Sequence, residues 1–206
     1  AAPPELPRPR RPDSGGGRPL LVVANPPLVG CARRPARAGR SLHELLAFLQ
    51  KGELITEQSS LAEIIHEALN FVYEDGYGRF YPLLRLQQDL PPVQCNRTQV
   101  QKVLVNLFRN AIEAMNITDS PLLTIITEVQ TIGSQQFALV SVQDNGPGLD
   151  TSVSKRIFEP FFTTKEVGKG TGLGLAVVHG IVAAHEGAIL ARSEPGRLDL
   201  VARLRS

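Results

Sequence analysis

The chain has 206 residues, 42% of them hydrophobic, and a formal net charge of +2, enough for one domain of ordinary size with additional segments. A charge so near neutrality gives no electrostatic case for a nucleic-acid partner. Two cysteines indicate neither a disulfide framework nor a zinc cluster, and no apolar run could span a bilayer, so we expect a cytoplasmic protein.

Residues 1–40 are dominated by Pro, Arg and Gly, most densely at 7–12. This composition cannot form a packed core, so we predict a disordered or degenerate segment. The apolar run Leu20–Val23 could form an isolated strand, which Pro26 and Pro27 would end.

Two helices are predicted next. Residues 41–52 place leucines on one helical face and end at Gly52. Ser60 and Glu63 have the spacing of a capping box. The helix after Ser60 has an apolar stripe made of Leu61, Ile64, Ile65, Ala68, Leu69 and Val72. A strand at 80–86 and a rigid proline-containing connection at 90–93 follow.

A helix over residues 98–115 carries two asparagines four positions apart, Asn106 and Asn110. This spacing places both amides on one side of the helix. They either lie on a solvated face or cap a helix end, or they present oxygen atoms to a cation and to polar ligand atoms. Because Mg²⁺ prefers oxygen ligands and retains phosphates as partners, an amide oxygen with a triphosphate is a reasonable coordination shell.

Two strands, 122–129 and 137–142, are predicted as a hairpin, and the second runs into Asp144. An aspartate followed by Gly146 and Gly148 is typical of a simple turn. The aspartate can also be a carboxylate that accepts a hydrogen bond from the exocyclic amine of a purine, with glycines that allow the ring to approach the backbone.

The aromatic segment 157–165 lies between two glycine clusters and is too broken for a core element, which is typical of a lid over a ligand. The glycine-rich stretch 168–175 then leads into a helix from Leu173 that ends at Gly187. Glycines before a helix are often only a turn, but free N–H groups at a helix N-terminus also suit phosphate. Two strands close the chain, at 188–191 and 198–204.

The histidines give little support for catalysis. We expect His66 on a helix surface, His179 packed against the last helix, and His185 in the final turn of that helix, where the dipole favours positive charge.

Together these motifs resemble the ATP-binding catalytic domain of two-component sensor histidine kinases. The resemblance covers residues 60–196 and is carried by Asn106 and Asn110, Asp144-x-Gly146-x-Gly148, Phe158 to Lys165, and Gly170-x-Gly172-x-Gly174. Residues 110–115 and 184–187 are most similar to the nitrogen-regulation and nitrogen-fixation branch. The family fold implies an α/β (α+β) two-layer sandwich over residues 53–206, with helices on one face of a mixed, mostly antiparallel sheet. Residues 41–52 would be the end of a dimerisation-hairpin helix.

The resemblance also implies roles for individual residues. Asn110 would bind Mg²⁺, Asn106 would line the phosphate side, and Asp144 would bind the adenine amine of ATP, with Gly146 and Gly148 beside the ring. The lid and glycine loop would supply the other ATP contacts, from Phe161, Phe162, Thr163, Thr164, Lys165, Gly170, Thr171, Gly172, Leu173 and Gly174.

The implied reaction transfers the γ-phosphoryl group of ATP to a histidine and then to an aspartate of a response regulator. Related ATPases have a glutamate where Asn106 stands, so the pocket is suited to transfer and not to hydrolysis. The family's acceptor motif is absent, and His43, which no proline follows, is a weak substitute. After Gly196 the family usually has a glycine and threonines; this chain has residues 197–200 instead, a departure that puts the family's water-mediated adenine contact from a threonine in question.

Three interpretations follow. The chain is a kinase core acting on a histidine of dimerisation helices, its own or in trans, and could form a homodimer. Alternatively it is a nucleotide-binding interaction module without transfer activity. A protein-serine kinase of the same superfamily would share the glycine loops but not the segment 158–165.

Overall fold

The computed structural model describes residues 20–23, 55–77, 81–166 and 170–206. Its α-helices are α1 (Leu61–Val72), α2 (Arg97–Ala114), α3 (Thr151–Ser154) and α4 (Gly174–Ala184). Its strands are β1 (Leu20–Val23), β2 (Glu57–Ser59), β3 (Leu83–Arg85), β4 (Val93–Cys95), β5 (Leu123–Ile132), β6 (Gln135–Asp144), β7 (Ala188–Glu194) and β8 (Arg197–Arg205). A π-helical turn, Tyr73–Tyr77, extends α1, and a 3₁₀ turn, Met115–Ile117, extends α2.

Within the described residues the main sheet has the strand order β1-β7-β8-β6-β5-β3. All neighbours are antiparallel except β3, which runs parallel to β5. The short strands β2 and β4 form a separate antiparallel pair. The predicted fold class, a two-layer sandwich with a mixed, mostly antiparallel sheet, is confirmed.

The hydrophobic core lies between the helices and one face of this sheet. Alternate residues of the central strands point into it, because side chains along a strand face opposite sides of the sheet. The largest fully buried side chain is Phe108 of α2, which packs with Leu104 and Leu107 of the same helix. None of the helices in the described part of the chain has the length and apolar character needed to span a membrane.

The N-terminus of α1 forms one of the two hydrogen bonds of the predicted capping box. The Ser60 hydroxyl accepts the Glu63 N–H at 3.4 Å, as predicted, and all six residues of the predicted stripe are buried. The Glu63 carboxylate, however, does not return to the cap; it accepts from Arg97 at 3.2 Å. A neighbouring guanidinium on α2 therefore replaces the reciprocal bond, because a charged donor makes the stronger partner for a carboxylate.

The short strands were the least predictable elements. Leu20–Val23 does form a strand, but it pairs with β7 and so extends the sheet instead of standing alone. The strand predicted at 80–86 is limited to Leu83–Arg85, since Pro82 lacks the N–H that would extend the ladder. The connection predicted at 90–93 ends in strand β4. The helix predicted at 41–52 and most of residues 1–40 lie outside the described residues.

The end of α4 departs from the expectation that a glycine terminates it. The left-handed residue is Glu186, with φ +54°, and the Gly187 N–H donates to the Val182 carbonyl at 2.9 Å. This is the hydrogen-bond pattern of a Schellman motif. Glycine is still needed at 187, because a Cβ there would collide with the carbonyl oxygen of Arg203 on β8. Glycine is therefore required at 187 by the close approach of β8, and not by a positive φ angle.

His185 connects the C-terminus of α4 to the N-terminus of α2. Its Nδ1 lies 2.8 Å from the Ile181 carbonyl oxygen, and its Nε2 accepts the Asn96 N–H at 3.0 Å. Asn96 is the N-cap of α2, where its side chain accepts the Gln99 N–H. The ring thus joins two helix ends through both of its nitrogens. The structural role predicted for His185 is confirmed.

We predict that His185→Ala lowers the free energy of unfolding by about 2–4 kcal/mol, since it removes a buried ring and leaves the Asn96 N–H without its acceptor. Chemical denaturation at neutral pH measures this loss. His66→Ala is the control, because His66 is exposed on α1 and its removal should change stability by less than about 0.5 kcal/mol. Equal effects of the two substitutions would contradict the assigned role.

Candidate functional site

Asp144 is a buried carboxylate at the end of β6. Its side chain is only 4% exposed, and its Oδ1 accepts the Gly146 N–H at 3.0 Å. Burial raises the pKa of Asp144 to about 6; the Gly146 N–H opposes this shift, and the negative charge of Asp199 adds to it. An ionisable group kept in such surroundings is characteristic of a binding or catalytic site.

The turn after Asp144 is held on both sides by hydrogen bonds. The Asn145 side chain accepts the Leu122 N–H and donates to the Ser120 carbonyl, both at 2.8 Å. On the other side, the Leu149 N–H donates to the Ser193 hydroxyl of β7 at 2.7 Å. The turn is therefore fixed between the loop after α2 and the β7–β8 hairpin.

Both predicted glycines of this turn lie against backbone. Gly148 has φ +77°, and a Cβ there would collide with the Glu194 carbonyl oxygen. A Cβ on Gly146 would lie 2.9 Å from the Asp144 carboxylate and 3.1 Å from the Ala114 carbonyl oxygen. Any side chain at 146 would therefore cover the carboxylate, so glycine keeps Asp144 accessible from this side.

The two predicted asparagines of α2 both face the start of α4. A Cβ built on Gly174 would lie 3.2 Å from Asn106 Oδ1 and 3.8 Å from Asn110 Nδ2. The Asn106 amide nitrogen donates to the Lys102 carbonyl of its own helix at 2.8 Å, which turns Oδ1 towards α4. No side chain caps the N-terminus of α4, so its first N–H groups are available near both amides.

A backbone hydrogen bond joins the predicted lid to the glycine-rich stretch. The Phe161 N–H donates to the Gly172 carbonyl at 2.9 Å, and a Cβ on Gly172, which has φ +64°, would collide with the Phe161 backbone. Phe161 itself has φ +65° and a side chain that is 61% exposed. Residues 167–169, between these two positions in the sequence, lie outside the described residues.

The aromatic residues of the lid segment are not equivalent. Phe158 packs on the core with its ring 6.0 Å from that of His179, which is packed as predicted. Phe162 also packs on the core, and the Arg156 guanidinium lies 4.4 Å above its ring. Only Phe161 projects to solvent, so the segment is attached to the domain by two of its three aromatic side chains.

Polar residues of the lid lie against the glycine loop. The Lys165 N–H donates to Thr163 Oγ1 at 3.2 Å, and a Cβ on Gly170 would approach both side chains. The Lys165 ammonium forms an ion pair with Glu113 of α2. Thr164 is exposed. Thr171 Oγ1 accepts from the N–H of Leu173, the N-cap residue of α4, at 3.4 Å.

The last strand lacks a hydroxyl opposite Asp144. The residue in register with Asp144 is Leu198, an apolar side chain. Asp199 lies on the other face of the sheet, where its carboxylate accepts from the Ser141 hydroxyl at 2.5 Å and the Gln143 amide at 3.4 Å. The sequence that replaces the family's usual threonines thus places an apolar side chain beside Asp144.

Among the described residues, no group of three His, Cys, Asp or Glu side chains could hold a metal ion. If a cation binds at Asn110, as the sequence predicts, this amide would be a single protein ligand, and phosphate and water oxygens would have to complete the shell. Mg²⁺ fits this donor set, because it usually keeps several waters and takes few protein ligands beside substrate phosphates. His43 lies outside the described residues.

Sequence reasoning missed three residues that shape this site: Asn145, Ser193 and Glu113. Asn145 stands at a variable position of the Asp-x-Gly-x-Gly motif, where no pattern signals its hydrogen bonds. Ser193 and Glu113 are distant in sequence from the residues they contact. Only Glu113, three positions after Asn110 and thus on a neighbouring part of the same helix, had a spacing that could have drawn attention to it.

Comparisons with known proteins identify the family of this chain. Residues 95–204 match the family of histidine kinase-, DNA gyrase B- and HSP90-like ATPases. The histidine-protein kinase AtoS of Escherichia coli is 36% identical over 156 residues, covering 75% of this chain and 24% of AtoS. The sensor histidine kinase ZraS of the same organism is 34% identical over 167 residues, covering 81% of this chain and 34% of ZraS. The chain thus spans about a quarter to a third of these relatives.

Solved structures give the same assignment. The nucleotide-free catalytic domain of histidine kinase ThkA has a TM-score of 0.60 at 28% identity, covering 73% of this chain and 97% of that domain. Acinetobacter baumannii histidine kinase AdeS has a TM-score of 0.60 at 26% identity, covering 82% of this chain and 75% of that structure. The nitrogen-sensor branch stays a prediction. The chain belongs to the family of histidine kinase-, DNA gyrase B- and HSP90-like ATPases, and it contains the ATP-binding catalytic domain of a sensor histidine kinase.

Proposed function

We propose that this domain binds Mg-ATP and transfers the γ-phosphoryl group to a histidine on dimerisation helices, its own or supplied in trans. One observation carries the proposal. Positions 106, 110 and 114 lie on one face of α2, where both asparagines approach Gly174 and Ala114 approaches Gly146. These positions span about 12 Å along the helix, so one elongated ligand could contact the aspartate turn and the glycine loop together.

The end of the site formed by Asp144 suits adenine. The carboxylate can accept from the exocyclic amine, and Gly146 carries no side chain that would press on Asp144 Oδ1. We assign the backbone of Gly146 and Gly148 to the neighbourhood of the ring. Guanine presents an oxygen acceptor where adenine has this amine, so a carboxylate would repel it. This chemistry gives preference for adenine without any other base contact.

The other end suits a triphosphate. The N–H groups that begin α4 lie at the positive end of a helix dipole and would bind phosphate oxygens. We assign Asn106 and Lys165 to the same phosphates and Asn110 to Mg²⁺. Bound there, Mg²⁺ would supply neutralisation of charge that develops during transfer. The further contacts come from the lid and glycine loop, namely Phe161, Phe162, Thr163, Thr164, Gly170, Thr171, Gly172 and Leu173.

Phosphoryl transfer needs alignment and charge stabilisation more than covalent participation by the protein. The Asn106 amide cannot take a proton, so it cannot activate water as a carboxylate could. This favours transfer to a nucleophile delivered by another helix over hydrolysis. By analogy with the kinases it resembles, we propose that the whole protein acts in the cytoplasm as a homodimer and passes the phosphoryl group to the receiver domain of a response regulator.

We predict that ATP affinity falls about tenfold per pH unit below pH 6, because adenine binding requires the ionised form of a carboxylate whose pKa is raised to about 6. Calorimetric titration with Mg-ATP between pH 5 and 8 measures this dependence. Asp144→Asn should bind more weakly at pH 8, by about 10- to 100-fold, and should lose the pH dependence assigned to the carboxylate. GTP should not bind detectably to the wild type.

Stability measurements on the same variant provide the control for folding. A raised folded-state pKa stabilises the protein while the group is protonated, and this contribution is lost as pH rises through about 6. Without nucleotide, Asp144→Asn should therefore be more stable than the wild type above pH 6, by on the order of 2–3 kcal/mol, and this advantage should disappear near pH 4. Asp150→Asn, at an exposed position, should show neither effect. A pH-independent difference would contradict the assignment.

We predict that Asn110→Ala reduces the gain in ATP affinity that Mg²⁺ provides, by about tenfold, since the cation loses its amide ligand. The measurement compares ATP affinity in magnesium and in EDTA for each variant. Asn70→Ala, at an exposed asparagine of α1, serves as the matched control. If Asn110→Ala retains the full magnesium effect, the cation is placed wrongly.

We predict that the purified chain transfers label from γ-labelled ATP to a separate dimerisation hairpin that carries the family's acceptor histidine, because the domain needs only a delivered nucleophile. Labelling should be acid-labile and, at ATP concentrations below saturation, strongly reduced with Asp144→Asn. Tight ATP binding without any label on the hairpin would favour the alternative, a nucleotide-binding module without transfer activity.

A further inference from the structure

The ion pair between Lys165 and Glu113 connects the lid to the helix that carries both asparagines. The stem of Lys165 passes beside Gly170, where a built Cβ would lie 3.1 Å from Lys165 Cβ and 3.2 Å from its Cδ. The ammonium then reaches α2 at Glu113. The Lys165 side chain thus passes beside the glycine loop and connects the lid to α2.

The position of Glu113 relates this contact to the proposed phosphate end. Glu113 lies three residues after Asn110 and seven after Asn106, so all three belong to adjoining parts of one helical surface. Both asparagines approach Gly174, and Lys165 approaches Gly170. The carboxylate therefore holds the ammonium between the glycine loop and the asparagine-bearing surface of α2.

We propose that Glu113 is a positioning residue for Lys165 in nucleotide binding, an inference that rests on the proposed function. A lysine stem has four rotatable bonds, and an unpaired ammonium would sample many positions. The carboxylate restricts the ammonium to the site before the nucleotide arrives, which reduces the ordering cost of binding. Lys165 can then donate to a phosphate with another of its three N–H groups while it remains paired with Glu113.

The exposure of the pair fits this role. The side chains of Lys165 and Glu113 are 39% and 30% exposed, so the ammonium is neither sealed from a ligand nor left free in solvent. A comparable pair, between Arg97 of α2 and Glu67 of α1, has side chains 30% and 45% exposed. It lies at the opposite end of α2 and thus supplies a matched control for a general effect of ion pairs on the domain.

The test compares ATP with adenosine, because a positioning role for a phosphate-binding lysine affects only the ligand that carries phosphates. Lys165→Met should weaken ATP binding by about tenfold and Glu113→Gln by about three- to fivefold. The double variant should be no weaker than Lys165→Met alone, since Glu113 acts through the lysine. Adenosine affinity, measured by NMR titration, should change less than about twofold in every variant, and Glu67→Gln should change neither ligand.

Several results would overturn the inference. An unchanged ATP affinity in Glu113→Gln would make the pair a surface contact only. Tighter ATP binding would make Glu113 a competitor of the phosphates, and a loss that persists in the Lys165→Met background would show that it does not act through the lysine. Equal losses for ATP and adenosine would indicate altered folding. Failure of the wild type to bind either ligand would instead refute the proposed function.

Discussion

The site depends on how closely one face of α2 approaches two pieces of backbone. Gly146 and Gly174 are the points of contact. A Cβ at 146 would lie 3.1 Å from the Ala114 carbonyl oxygen, and a Cβ at 174 would lie 3.2 Å from Asn106 Oδ1; both distances are shorter than ordinary van der Waals contact. The helix has little room to move away from these contacts, because Leu104 and Phe108 on its other side are fully buried. The spacing between the aspartate turn and the glycine loop is therefore set by the core.

Different residues of the domain provide its stability and the proposed nucleotide contacts. The core positions of α2 hold the fold, whereas the buried carboxylate of Asp144 costs stability when it ionises, since few donors compensate its desolvation. An unfavourable group at the end of a well-packed strand is consistent with the role of hydrogen-bond acceptor that we propose for Asp144. The hydrogen bonds of Asn145 and Ser193 keep the turn in place around this group, so the cost is confined to one side chain.

The sequence was sufficient for the elements with long periodic patterns and for the residues with special backbone needs. The stripe of α1 and the amide pair of α2 followed from spacing alone, and Gly148 lies at a positive φ where a glycine was expected. The short strands β2 and β4 could not be predicted, because three residues carry too little periodicity and their pairing joins positions 57–59 to 93–95. Hydrogen-bond partners such as Ser193 could not be predicted for the same reason, because a contact between residues distant in sequence leaves no local pattern.

The two ends of the site differ in how the fold supports them. At the Asp144 end the carboxylate is buried and hydrogen bonds between side chains and backbone fix the turn, so the electrostatic interactions of Asp144 are little screened by salt. At the other end the lid is attached through a backbone bond at Phe161 and a partly exposed ion pair at Lys165. Salt weakens exposed pairs of this kind. Recognition of the base would thus be a property of the folded core, whereas recognition of the phosphates would depend on charges that solvent and partner helices can reach.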